Sequence, residues 1–125
     1  MALGKIKADQ LEHSTAGSLD TQFVVNGSAK AWFHYDGSGT TFADSFNGSS
    51  ATDDGTGTYT MSFTSSMSNA NYAVVLSDDD GGTTRAFTHA KTYATGSFAT
   101  RSSRGDNGTN TDKTTVATAA MGDLT

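Results

Sequence analysis

The side chains best suited to proton transfer or metal ligation near neutral pH are three histidines, His13, His34 and His89. His34 and His89 lie in segments that alternate like β-strands, so sheet neighbours could bring them together. A catalytic site would also need a nucleophile and an orienting acid converging on a pocket. The chain offers only scattered Ser and Asp with no characteristic spacing, so no catalytic residue is expected, and His34 beside Trp32 reads as cross-strand packing. Asp78-Asp79-Asp80 could supply the oxygen ligands that calcium takes, and Asp53-Asp54 does so more weakly. EF-hand loops alternate their acids, whereas these are consecutive and cannot all face one ion from a strand end. The preferred reading is a solvated acidic turn that discourages edge-to-edge pairing, with no metal and no cofactor expected.

Three further signals concern recognition. Arg104-Gly105-Asp106 is the tripeptide of integrin ligands, but a string of three arises readily by chance. Asn26-Gly27-Ser28, Asn47-Gly48-Ser49 and Asn107-Gly108-Thr109 match glycosylation sequons formally and read better as turns. Tyr93 and Phe98 flank Gly96 and are the candidate aromatic contacts, since aromatic faces stack on sugars and anchor interfaces. Core or subunit packing is the competing reading for both, and the favoured one, because the chain has few large residues to spare. Asp78, Asp79, Asp80, Arg104, Asp106 and Asn107 are the candidate outward loop residues.

These residues must be positioned by β-structure. In Ala29–Tyr35, Lys30, Trp32 and His34 point one way and Ala31, Phe33 and Tyr35 the other, which is the period of a strand. Thr58–Thr64 alternates with Tyr59, Met61 and Phe63 inward. Thr40–Phe46 reads as extended with Phe42, Asp44 and Phe46 on one side. Gln22–Val25 reads as a short strand closed by Asn26-Gly27. Asn71–Ser77 is the most apolar strand and is expected at a sheet centre. Thr84–Tyr93, Ser97–Arg101 and Lys113–Met121 complete the series, with Ser102–Asp112 as a long surface loop. About eight short strands at regular spacing predict an all-β fold, an antiparallel β-sandwich or jelly-roll-like knob. Ahead of it, Met1–Asp20 forms a short N-terminal arm with Leu3, Ile6 and Leu11 as apolar pegs. The expected division is therefore an anchoring arm over 1–20 and a β domain over 21–125.

Composition narrows the function. The 125 residues include 14 Gly, no Pro and no Cys, so disulfides and thiolate metal sites are excluded. The hydrophobic fraction is 34%, much of it Ala, so one protomer buries a modest core. Small β domains of that kind commonly need partner subunits, and a homo-oligomer is expected. The net charge is −5, and of 13 acidic residues only Glu12 is Glu. Phosphate-backbone binding needs Lys and Arg, so nucleic acid is not an expected partner. No long apolar run exists, which argues against membrane insertion, and MALGKIKADQ lacks the apolar centre of a signal peptide.

Several ordered blocks carry a resemblance: NGSAKAW (Asn26–Trp32), DGSGT (Asp36–Thr40), DSFN (Asp44–Asn47), TDDGTGTYTMSFT (Thr52–Thr64) and MSNANYAVV (Met67–Val75). Together they resemble a β domain that recurs in virion proteins of marine and other tailed bacteriophages, often at the end of tail fibres. The arm GKIKADQLEHSTAGS resembles leader segments of such proteins more weakly, and the resemblance fades after Val75. It implies a structural component of the virion, typically a homotrimer, without enzymatic activity, and it transfers no functional residue. The expectation is a tail-fibre or receptor-binding knob that contacts a host surface glycan or protein. Residues 1–20 would anchor it to another virion protein, of the tail or the capsid. The alternative is a capsid decoration or head-fibre protein gripping the major capsid protein. A carbohydrate-binding β domain unrelated to phage is the further alternative.

Overall fold

The computed structural model describes residues 4–37, 41–79 and 86–125. It opens with a hairpin, β1 (Gln10–His13) and β2 (Gly17–Asp20), and a short helix, α1 (Thr21–Gly27). Eight strands follow: β3 (Ala29–Tyr35), β4 (Phe42–Phe46), β5 (Gly48–Gly55), β6 (Thr58–Phe63), β7 (Ala73–Asp79), β8 (Ala86–Ala94), β9 (Ser97–Arg104) and β10 (Thr115–Met121). They form two four-stranded sheets, β4-β3-β10-β7 and β5-β6-β9-β8, in which every pairing is antiparallel. The fold is an all-β sandwich, as the alternation predicts.

Each inner face comes from the period-two pattern. Ala31, Phe33 and Tyr35 of β3 and Val116, Thr118 and Ala120 of β10 are buried from one sheet. Tyr59, Met61 and Phe63 of β6 and Phe98, Thr100 and Ser102 of β9 are buried from the other. Phe33 sits at the centre, its ring 5.2 Å from Phe42, 5.9 Å from Phe63 and 5.8 Å from Phe98. Such tilted and edge-on pairs add to the burial of each ring.

The sandwich has two unlike poles. β3, β5, β7 and β9 all run from one end to the other, and β4, β6, β8 and β10 return. Chain entry at Ser28, the single-residue crossover at Asn47, the 64–72 connection and residues 122–125 therefore share the proximal pole. Asp36 and Gly37 and the 56–57 and 105–114 connections share the distal pole. Asn47 makes its crossover with φ at 58°, the left-handed region that Asn tolerates, and its side-chain amide donates to Lys30 O and Ser65 O at 3.1 and 2.9 Å.

Four expectations require correction. Gln22–Val25 is helical: an apolar run of this length does not separate strand from helix, and Asn-Gly ends a helix as readily as it turns a hairpin. The sandwich thus begins at Ala29, and the N-terminal segment before it includes α1. The apolar strand β7 is a sheet edge, while the small-residue β10 is central; Val75 faces outward, so apolarity there reports a second exposed face. Phe42 and Phe46 lie on opposite faces because the register shifts between His34 and Tyr35, turning Phe42 inward opposite Tyr35 and leaving Asp44 and Phe46 outward. Finally, β9 continues to Arg104, and Ser102 is buried, so the surface loop is shorter than Ser102–Asp112.

Candidate functional site

At the distal pole the interior turns polar. Tyr35 and Tyr59 pack across the sheets with tilted rings, their centroids 5.5 Å apart. The Tyr35 hydroxyl shares a 2.6 Å hydrogen bond with Thr100 Oγ1, while Tyr59 donates to Gly37 O and, at 2.9 Å, to Asp112 Oδ1. Asp112 Oδ1 also accepts from Gly57 N at 2.6 Å. Burial pushes the Tyr35 hydroxyl up to about 12, and burial followed by the neighbouring Asp112 raises Tyr59 further. Thr88 Oγ1 donates to Asp78 Oδ2 at 2.5 Å and shares a 2.6 Å bond with Ser102 Oγ. Lys113, only 3% exposed, reaches Asp78 Oδ2 at 3.6 Å. This chain of contacts joins β7, β8 and β9 to the segment entering β10, fixing the roots of the distal connections. Gly57 is required there: its φ is +67°, and a Cβ would fall 2.6 Å from the carbonyl oxygens of both Ser102 and Thr111.

The candidate outward residues divide accordingly. Arg104, Asp106 and Asn107 do lie at the distal pole. Arg104 is bound to Asp106 by two hydrogen bonds of 3.1 and 2.9 Å, which holds the Asp106 carboxyl below its usual range and raises the guanidinium. Asn107 Oδ1 accepts from Thr109 N at 3.0 Å and shapes the turn. Asp79 is exposed at the end of β7. Asp78 is not an outward loop residue: strand alternation turns it inward, where Thr88 and Lys113 engage it. Asp80, like residues 81–85, lies outside the described residues. Asp53 and Asp54 belong to the edge strand β5, and their carboxylates accept from Gly55 N at 2.8 Å and Thr60 Oγ1 at 2.6 Å.

The aromatic candidates also divide. Phe98 is fully buried among Phe33, Phe63 and Tyr72 and cannot serve as an exposed contact. Tyr93 is partly exposed at the proximal pole, its ring 5.2 Å from Tyr72. Tyr72 in turn donates to Ala94 O and Ser97 O at 3.0 and 2.7 Å. His34 and His89 are not brought together: each is exposed on the outer face of a different sheet.

Before the sandwich, the arm holds itself together. Thr21 N donates to Asp9 O at 2.9 Å, Thr21 Oγ1 to Ala8 O at 2.7 Å, and Gln10 Nε2 to Asp20 Oδ1 at 2.7 Å. Ile6 is 93% exposed, Leu11, Leu19, Phe23, Val24 and Val25 are also exposed, and no residue of α1 is buried. Leu3 lies outside the described residues. A seven-residue helix with uncovered apolar side chains is marginal in water by itself.

The feature least visible in the sequence is the outer face of the β4-β3-β10-β7 sheet. Register places Phe46, Trp32, Ala119 and Val75 in one row across all four strands. Asp44, His34, Ala117 and Ser77 form the next row. Phe46 is 54% exposed, Trp32 38% and Val75 55%. Between Trp32 and Val75 the small Ala117 and Ala119 floor an open trough of about 440 Å³. The one partial signal in the sequence is Trp32, which shares its strand face with Lys30 and His34.

The geometry defines a two-pole antiparallel β-sandwich with an apolar N-terminal segment, one apolar outer face and no grouping of His, Asp or Glu that could hold a metal ion among the described residues. In comparisons with known proteins, the chain matches no family model, no curated protein and no solved structure.

Proposed function

We propose that this chain is a non-enzymatic structural protein of a tailed-bacteriophage virion, a homotrimeric knob moored at its proximal pole and displaying its distal pole. The observation that supports this most is the segregation of the poles. The apolar N-terminal segment and the C-terminus leave from one end, while the 105–114 connection with Arg104, Asp106 and Asn107 crowns the other. Uncovered Ile6 and Leu11 suit a hydrophobic anchor on another virion protein. A tail-fibre or receptor-binding position is the first reading, in which the distal pole contacts a host glycan or protein.

Gold-labelled antibody to the distal loops, viewed on intact particles, tests this directly. Label at the tail supports the fibre reading, and label over the head lattice moves the protein to capsid decoration. Particles that never carry label would sink both. Deleting residues 1–20 should release the protein from the particle while the sandwich stays folded.

A further inference from the structure

We infer that Asn26, next to last in α1, is a site of spontaneous deamidation whose product loosens the joint between the N-terminal segment and β3. Three Asn residues of the chain precede Gly: Asn26, Asn47 and Asn107. In such a pair the Gly nitrogen, losing its proton to base, attacks the carbonyl carbon of the Asn side chain. Ammonia leaves and a cyclic succinimide remains, which water reopens to aspartate or isoaspartate. The balance is one water taken up and one ammonia released. Gly is the follower that obstructs the attack least, because it has no Cβ. The side-chain amide must turn onto the next backbone nitrogen, so the fold decides which of the three reacts.

Asn47 is locked. Its Nδ2 donates to Lys30 O at 3.1 Å and Ser65 O at 2.9 Å, and its Oδ1 accepts from Ser65 N at 2.6 Å. Freeing that amide breaks three bonds, which lowers the reactive population on the order of a hundredfold. Asn107 is held by less. Its Oδ1 accepts from Thr109 N at 3.0 Å, and Gly108 N donates to Arg104 O at 2.9 Å. Opening those two bonds costs about tenfold. The Asn26 side chain is exposed and takes no hydrogen bond among the described residues. Only the helix restrains it, and a seven-residue helix with no buried side chain frays readily. The isoaspartyl product carries the main chain through the former side chain, which adds a methylene between residues 26 and 27. Two bonds that span this point join α1 to the start of β3: Ser28 N to Val24 O at 3.1 Å, and Lys30 Nζ to Val25 O. Both lose their spacing.

The three sites fall on separate tryptic peptides, 8–30, 31–85 and 105–113, so one digest reads them together. The full chain is aged in mildly alkaline buffer, folded and in denaturant, and the acid-for-amide mass gain at each Asn is followed. In denaturant all three should react at similar rates. In the folded protein Asn26 should stay within a few-fold of its unfolded rate, since fraying opens it at little cost. Asn107 should react about tenfold more slowly than when unfolded, and Asn47 on the order of a hundredfold more slowly. Equal protection of Asn26 and Asn47, or a faster gain at Asn107 than at Asn26, overturns the assignment. Asn26→Gln, whose longer side chain closes its ring far more slowly, should stop the gain in 8–30 and keep the fold; a gain that persists there overturns it too. Hydrogen exchange on aged protein should show protection lost at Ser28 and retained in β3 and β10. Ser28 protection that survives isoaspartate formation overturns the consequence for the joint. The reaction needs no partner, so it stands or falls apart from the virion reading.

Discussion

The two sheets have equal strand number and comparable aromatic inner faces, yet their outer faces differ in kind. On the β5-β6-β9-β8 sheet, register sets Thr52, Thr60, Ala99 and Lys91 in one row and Thr58, Arg101 and His89 in the next. Ala99 is buried between its neighbours, and apart from the exposed Phe87 that surface is hydroxyl and charge. It is finished in water. The opposite face presents Phe46, Trp32 and Val75 at the same depth of pleat. The fold therefore needs only the inner pattern, and the outer pattern is free to serve contact.

The largest expected effect tests whether inside and outside are separable on a single strand. Phe33→Ala should cost about 3–5 kcal/mol, the range for emptying a buried aromatic position. Trp32→Ala, one residue away, should cost far less, because its ring is 38% exposed on the outer face. Denaturant melts at several protein concentrations check both. An equal loss from both variants at every concentration would show that Trp32 is core and erase the contrast.

The next effect is alkaline. Burial raises Tyr35 and Tyr72 to about 12, and burial with Asp112 raises Tyr59. The folded state thus keeps its phenolic protons where the unfolded chain, with an ordinary Tyr value of about 10, gives them up. The unfolded state binds fewer protons in that window, so stability is fully present below about pH 10 and falls as pH rises toward 12. Tyr35→Phe should lose about 1 kcal/mol at neutral pH with its bond to Thr100 and show a shallower alkaline decline. Because these groups lie between the sheets, the slope should persist in Trp32→Ala. A decline that vanished with Trp32 would place its cause on the outer face.

What was legible in the chain follows from the same contrast. Tyr59, Met61 and Phe63 declared one buried face because their strand neighbours are Thr and Ser. Ala29–Tyr35 alternated as clearly, but Trp32 with His34 opposed Phe33 with Tyr35, so period alone did not say which side was the core. Strand β5 (GSSATDDG) was illegible: at an edge it needs little apolar content, and its Asp and Gly imitate a turn. The inward Asp78 was hidden in a run of three aspartates, since only its place in the sheet decides which carboxylate meets Thr88. The row from Phe46 to Val75 joins residues from four strands, and spacing along one strand cannot reveal it.

The smallest effect concerns the distal pole, where sequence and structure agree that Arg104, Asp106 and Asn107 face water. Arg104 and Asp106 hold each other at 2.9 Å, but both are solvent-exposed, and exposed ion pairs contribute little to folding. Arg104→Ala should therefore leave the thermal midpoint and the oligomeric mass unmoved. The turn survives because its frame is backbone: Arg104 N donates to Thr109 O at 2.8 Å and Gly108 N to Arg104 O at 2.9 Å. What should change is the surface charge at the tip, because Asp106 loses its partner and its carboxyl returns toward the usual range. If the knob works by display at this pole, Arg104→Ala alters attachment to cells without altering the fold. An Arg104→Ala protein with a clearly lower thermal midpoint would show that the pair holds the sandwich together rather than facing a partner.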